Sequence, residues 1–143
     1  MSLRINPDVD PDTHPYLATG LREAKFGIAM EDGLELAMSV HDNPNLDLVG
    51  LACHIGSQIV DTEPFLDSLK ALRHLIAGLE GHGVRLRQLD LGGGLGIPYR
   101  GGDQDLDPQT WVRALVEATA DLEVPLLIEP GRYLVGNAGV LLT

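Results

Sequence analysis

Apolar residues recur along this chain in two periods that take turns, one suited to strands and one to helices. Ser2 to Asn6 reads as a short strand closed by Asn6-Pro7, and residues 8–20, rich in Asp, Pro, Thr and Gly, read as a loop. Lys25-Phe26-Gly27-Ile28 is a short extended piece. From Met30 to His41 the residues Leu34, Ala37, Met38 and His41 fall on one face at helical spacing, and Asp42-Asn43-Pro44-Asn45 stops that helix. Leu46 to Cys53 predicts a strand with Val49 and Leu51 on one side. Asp61-Thr62-Glu63-Pro64 then predicts a helix start, a capping residue followed by Pro in the first turn. Phe65, Leu69, Leu72, Ile76 and Leu79 form the buried stripe of this helix, with Asp67 and Lys70 on the opposite side. It runs to about Glu80, before Gly81 and Gly83. Val84 to Leu91 predicts a third strand, which stops at Gly92-Gly93-Gly94. After a polar loop at 100–107, Asp107-Pro108 opens another helix with Trp111, Leu115, Ala118 and Leu122 inward. Pro125 to Ile128 is a fourth strand, and its Leu126-Leu127-Ile128 run is of the kind buried on both faces of a sheet. Residues 134–143 are largely apolar again.

The strands start at intervals of roughly forty residues, with a helix between each pair. A βαβα series implies a parallel sheet with right-handed crossovers. The expected fold is therefore α/β, a partial (β/α)8 TIM-type barrel of about four parallel βα units, where closure needs eight. Half a barrel leaves two long parallel edges open, an aggregation hazard. The chain also stops inside the apolar run Val140-Leu141-Leu142-Thr143. Both features predict that residues 1–143 are one part of a larger barrel domain.

Composition narrows the partners. The 143 residues are 44% hydrophobic but only 4% aromatic, so the core must be mainly aliphatic. A net charge of −11 argues against nucleic acid or an anionic membrane, both of which attract basic surfaces. Cys53 is the only cysteine, which rules out an internal disulfide and fits a reducing compartment. No apolar run is long enough to cross a bilayer, and MSLRINPDVD lacks the layout of a secretory signal. A cytoplasmic location is expected.

Three predicted strand ends carry distinctive residues: His54 with Ser57, the glycine triplet, and Glu129 with Arg132. In a parallel barrel such ends face one cavity. Bare backbone at Gly92, Gly93 and Gly94 suits a phosphate cradle of amides, or else a tight turn with close strand–loop packing. A dinucleotide fold is the weaker option, because Gly92, Gly94 and Gly96 are wrongly spaced for its fingerprint and Pro98 blocks a following helix. His54 is either a ring satisfied by backbone at the barrel rim or part of a site. Ser57 is either a turn serine or a hydroxyl donor to a phosphate oxygen; Gly56-Ser57-Gln58 is no hydrolase elbow. One cysteine and no His pair at ligand spacing argue against a metal site. Glu129 and Arg132, around Pro130-Gly131, either pair with each other or act separately. In the second case Arg132 grips a phosphate or carboxylate, and Glu129 accepts from a proton-bearing ring nitrogen.

Taken together, these residues resemble the pyridoxal-phosphate-dependent decarboxylases of the alanine-racemase-type barrel. The resemblance rests on Arg4-Ile5-Asn6-Pro7-Asp8, Thr13-His14-Pro15-Tyr16, Lys25-Phe26-Gly27, His54-Ile55-Gly56-Ser57-Gln58, Gly92 to Tyr99 and Glu129-Pro130-Gly131-Arg132-Tyr133, in the family's order over essentially the whole chain. The His-Ile-Gly-Ser-Gln and Gly-Ile-Pro-Tyr wording is more like the diaminopimelate branch than the ornithine and arginine branches. The resemblance implies pyridoxal 5'-phosphate as cofactor and diaminopimelate as the small-molecule substrate of a lysine-forming carboxy-lyase, homodimeric at full length. It implies that His54 stacks on the pyridine ring, that Ser57 and the amides of Gly92, Gly93 and Gly94 hold the phosphate, and that Glu129 pairs with the pyridine nitrogen. Pro130 and Gly131 complete that cofactor site, and Arg132 contacts phosphate, substrate carboxylate or both.

The departures from the family pattern are equally informative. The Schiff-base lysine belongs to an early barrel strand that this chain does not contain; Lys25 and Lys70 are its only lysines, and neither matches that position. The family's C-terminal β-domain has no counterpart either. No catalytic residue is therefore assigned within the chain, and the chain alone is expected to be inactive. Two other readings account for part of the pattern. A non-catalytic pyridoxal-phosphate-binding barrel would carry its own lysine and lack the Gly-Ile-Pro-Tyr wording. A barrel acting on a sugar phosphate would explain the glycines but leave His54 and Glu129 to Arg132 without a joint purpose.

Overall fold

A computed structural model of the chain describes residues 1–10 and 26–140. Lys25 and the Thr13-His14-Pro15-Tyr16 motif lie outside the described residues. The elements are β1 (Ser2–Asn6), β2 (Ile28–Ala29), α1 (Met30–Asp42), β3 (Gly50–Ala52), α2 (Glu63–Gly81), β4 (Gln88–Asp90), α3 (Pro108–Thr119), β5 (Leu126–Leu127) and α4 (Gly131–Val135). All strand pairings are parallel, in the order β2-β1-β3-β4-β5. The expected series of βα units is therefore present, and the extended piece after Gly27 joins the sheet as β2, an edge strand among the described residues.

Register explains the burial. Leu3, Leu51, Leu89 and Leu126 stand side by side across four strands, and the first three are buried beneath the helices. Because side chains alternate along a strand, the next row, Arg4, Ala52, Asp90 and Leu127, faces the other side. One row earlier stand Ser2, Gly50 and Gln88. The Gln88 amide Nε2 donates to Ser2 Oγ at 2.9 Å, so the side chain spans β3 at Gly50. A Cβ on Gly50 would strike the Gln88 carbonyl and side chain, so only glycine lets that polar bridge form. The helix-covered face is aliphatic, whereas this other face carries polar and charged groups.

The helices follow their stripes. Every residue of the α2 stripe is buried, joined by Ser68 and Leu75. Its start is held by Asp61 Oδ1, which accepts from the Glu63 amide at 3.0 Å, whereas Thr62 at the N-cap makes no side-chain cap. Asp107 caps α3 as expected, accepting from the Thr110 amide at 2.8 Å. Trp111 of α3 meets Phe65 of α2 with ring centroids 5.2 Å apart.

Four expectations are corrected. In α1 the buried residues are Gly33, Ala37 and Val40, with Leu34 and Met38 partly buried; His41 is exposed, because the stripe turns off that line in the last turn. The strands are shorter than their apolar runs, because the ladder persists only where both neighbours are in register. Leu122 lies beyond the end of α3. Leu126-Leu127-Ile128 is not buried on both faces: Leu126 and Ile128 pack partly against the core, but Leu127 is 40% exposed. β5 is an edge strand among the described residues, and no packing layer covers its second face there.

Candidate functional site

Neighbouring strands deliver neighbouring exits. The segments after β3, β4 and β5 are laced together by main chain: the Cys53 amide donates to Asp90 C=O (2.9 Å), Leu91 to Leu127 (3.1 Å) and Glu129 to Gly92 (2.7 Å). Farther out, Ile59 N–H donates to Gly94 C=O and Gly96 N–H to Ile59 C=O, both at 2.9 Å. The glycine triplet lies in the middle of this lacing. A Cβ on Gly92 would strike the Cys53 carbonyl, one on Gly93 the Glu129 carbonyl, and one on Gly94 the Gly56 carbonyl. Close backbone packing alone is thus enough to demand three glycines here.

The amides of the triplet are not equivalent. Gly92 N–H donates to Asp90 Oδ1 at 2.8 Å, and Gly93 N–H to His54 Nδ1 at 3.3 Å. Gly94, half-buried, makes no such bond through its amide among the described residues. The donor that the triplet can offer an anion is therefore narrowed to Gly94 N–H.

Accepting from Gly93 assigns the neutral His54 ring the tautomer with its proton on Nε2. Burial lowers the His54 pKa below the ordinary histidine value, and the Arg4 charge lowers it further, against opposing pulls from Glu129 and Asp90. The ring is therefore uncharged at neutral pH. Arg4 and Asp90 act on it from the two strands flanking β3, in the row opposite the helix-covered face. The sequence reading gives neither a role in the site, although Arg4 opens the Arg4-to-Asp8 motif; the available signal is a charged residue between two buried leucines or isoleucines of a strand, Leu3-Arg4-Ile5 and Leu89-Asp90-Leu91.

Glu129 is exposed, and no ion pair joins it to Arg132 among the described residues. Arg132 sits in α4, a five-residue helix for which the sequence showed no periodicity. Its Nη1 donates to Gln58 Oε1 at 3.2 Å, and its guanidinium lies 5.9 Å from the centre of the Tyr99 ring. Gln58 also clasps Ile97, donating from Nε2 to the carbonyl at 2.5 Å and accepting from the amide at 3.4 Å. Three motifs separated in sequence thus meet at Arg132. Ser57 is half-buried between Gly56 and Gln58 on the same loop. A surface cleft of about 440 Å³ lined by Ile76, Glu80, Arg85, Leu122 and Val124 lies at the opposite, strand-entry end and includes none of these residues.

Comparison with known proteins shows the family. The chain is 48% identical to a diaminopimelate decarboxylase of Pseudomonas fluorescens, over all of its own length and 34% of that protein's. Its structure is similar to diaminopimelate decarboxylase from Helicobacter pylori complexed with L-lysine, with a TM-score of 0.85 and 34% identity over 92% of this chain and 33% of that one. A structure of SrLDC in complex with PLP and cadaverine matches with a TM-score of 0.69 and 30% identity, over 79% of this chain and 30% of the other. The chain thus spans about a third of the length of the relatives it matches. Residues 1–136 match the pyridoxal-binding domain of the pyridoxal-dependent decarboxylases, and the chain belongs to that family.

Proposed function

We propose that residues 1–143 are the central and C-terminal part of a pyridoxal-phosphate-binding barrel, from a decarboxylase that converts meso-2,6-diaminopimelate to L-lysine and carbon dioxide. The observation that carries this reading is the meeting of His54, Gly94 N–H, Glu129 and Arg132 on the exits of three adjacent parallel strands. This donor set fits the cofactor. An amide and a guanidinium suit its phosphate, a carboxylate free of Arg132 suits a protonated ring nitrogen, and an uncharged aromatic ring suits the pyridine face.

When bound, pyridoxal phosphate supplies the electron sink that takes up the bonding pair left by departing carbon dioxide. The chain's own residues bind and orient. Gly94 N–H and the Ser57 hydroxyl donate to the phosphate, with Gly92 and Gly93 shaping the turn that presents them. His54, kept neutral by burial and by Arg4, lies against the ring without competing for a proton. The Glu129 carboxyl group would accept a hydrogen bond from the pyridine N–H. Pro130 and Gly131 set the offset between Glu129 and Arg132, which takes the phosphate, the substrate carboxylate or both.

The covalent anchor is read as lying in another part of the full-length protein, on an upstream barrel strand. Of the two lysines here, Lys70 is on the exposed side of α2, paired with Asp67 at 2.6 Å, and Lys25 lies outside the described residues. The full-length protein is read as a cytoplasmic homodimer with a downstream β-domain. The test is release of carbon dioxide from meso-2,6-diaminopimelate with added pyridoxal phosphate. The chain alone should give none. The chain embedded in its full reading frame should turn over diaminopimelate in preference to ornithine and arginine. Turnover by the isolated chain, or preference for another amino acid, overturns the reading.

A further inference from the structure

Gln58 is built into the site more tightly than any role assigned so far requires. Its backbone stands at φ +62°, a left-handed conformation that glycine adopts without steric cost and a glutamine does not. A residue held there at a cost points to a need for its side chain. That side chain makes three hydrogen bonds through its one amide. Oε1 accepts from Arg132 Nη1 at 3.2 Å and from Ile97 N–H at 3.4 Å, while Nε2 donates to Ile97 C=O at 2.5 Å. One amide therefore ties the segment after β3 to the segment after β4, and both to Arg132 after β5.

We propose that Gln58 is the positioning residue of Arg132, holding the guanidinium in one orientation without neutralising it; this rests on the reading that Arg132 grips an anionic group of cofactor or substrate. The chemistry favours an amide specifically. A glutamate would accept from Arg132 but cancel its charge, and could not donate to the Ile97 carbonyl. A lysine would donate to that carbonyl but repel Arg132. The amide consumes one of the five guanidinium N–H donors and leaves the charge intact for an anion. Tyr99, two residues past Ile97, places its ring against the same guanidinium, so the clasped segment supports Arg132 from two sides.

The test is a double-mutant cycle on the whole chain, read by titration with pyridoxal 5'-phosphate and with pyridoxal, which lacks the phosphate. Gln58→Gly suits the backbone and removes the whole side chain, amide included. It should weaken pyridoxal 5'-phosphate binding roughly ten-fold, leave pyridoxal unaffected, and have no further effect once Arg132→Ala is present. Gln58→Glu should weaken binding at least as much, although it keeps an acceptor for Arg132. L-lysine and cadaverine, which differ by one carboxylate, form the second arm. A cycle that couples only on that pair assigns Arg132 to the substrate carboxylate and supports the proposal equally. If Gln58→Gly weakens binding by the same factor with and without Arg132, or has no effect while Arg132→Ala does, the proposal fails and the role of Arg132 stands. If Arg132→Ala changes neither pair, or the parent chain distinguishes neither pair, the underlying reading fails and this inference fails with it.

Discussion

Substituting Gly93 with alanine tests whether the triplet is glycine because neighbouring backbone leaves no room. The φ of Gly93 lies outside the left-handed region, so the backbone conformation itself is open to alanine. Space is the obstacle. The added methyl carbon would overlap the Glu129 carbonyl oxygen and lie 2.7 Å from its carbon. That peptide cannot retreat freely: Glu129 N–H donates to Gly92 C=O at 2.7 Å, and the struck carbonyl accepts from Gly131 N–H at 2.7 Å. Overpacking costs about 1–3 kcal/mol, and loss of one or two of these hydrogen bonds adds about 1 kcal/mol each. The expected destabilisation of about 2–5 kcal/mol corresponds to a melting midpoint lower by roughly 6–15 °C for a chain of this size. Two comparisons isolate the cause. Gly101→Ala has nothing within 4 Å and should stay within about 0.5 kcal/mol of the parent. Gly83→Ala is also in open space but at φ +80°, and should cost about 1–2 kcal/mol from conformation alone. Thermal and urea unfolding followed by circular dichroism read all three. A Gly93→Ala chain no less stable than Gly83→Ala would refute the packing argument, and return the triplet to an explanation based on the ligand.

Other perturbations have separate signatures. Because the folded state depresses the His54 pKa, protons bind the unfolded chain more readily. Stability should therefore fall as pH drops below about 6.5 toward the depressed value, then level off; His54→Asn should flatten that window in urea midpoints measured against pH. Asp47, Asp107 and Asp121, whose carboxyls are held below the ordinary aspartate value chiefly by side-chain hydrogen bonds from Arg87, Thr110 and Arg73, act only in a lower window, as pH falls below about 4. Trp111 Nε1 is buried without a hydrogen-bond partner among the described residues, so Trp111→Phe should cost under about 1.5 kcal/mol, whereas Trp111→Ala should cost about 3–5 kcal/mol; equal losses in calorimetry would contradict this. Arg73 pairs with Asp121 and also donates to the Ala118 carbonyl at the end of α3 (2.7 Å), so Arg73→Ala should cost about 1–2 kcal/mol. Lys70→Ala, which removes only an exposed pair with Asp67, should leave the unfolding midpoint almost unchanged, and the reverse ranking in unfolding midpoints would be disproof.

Legibility in the sequence followed how local each signal was. The α2 stripe was readable because one face of a long amphipathic helix is defined by its own residues, and its Phe65-to-Leu79 series is buried throughout. Asp107-Pro108 was readable because a cap acts within four residues, Asp107 to Thr110. Leu127 was misread because burial of the second face of a strand depends on what packs there, and the same three apolar residues would be doubly covered in a central strand. α4 was missed because five residues are too few to show a period.

The sequence by itself determined the alternation of elements, the parallel sheet it implies, and the motif residues that gather at its exits. Those follow from periodicity, turn residues and side-chain type, all short-range properties. Only the tertiary structure decided how the residues divide the work. It committed Gly92 to Asp90 and Gly93 to His54, gave Gly94 N–H no such bond among the described residues, kept Glu129 apart from Arg132 there, and joined Arg132 to Gln58 across 74 positions of chain. The physical reason is that hydrogen-bond partnership depends on strand order and register, which set loops side by side that no local pattern connects.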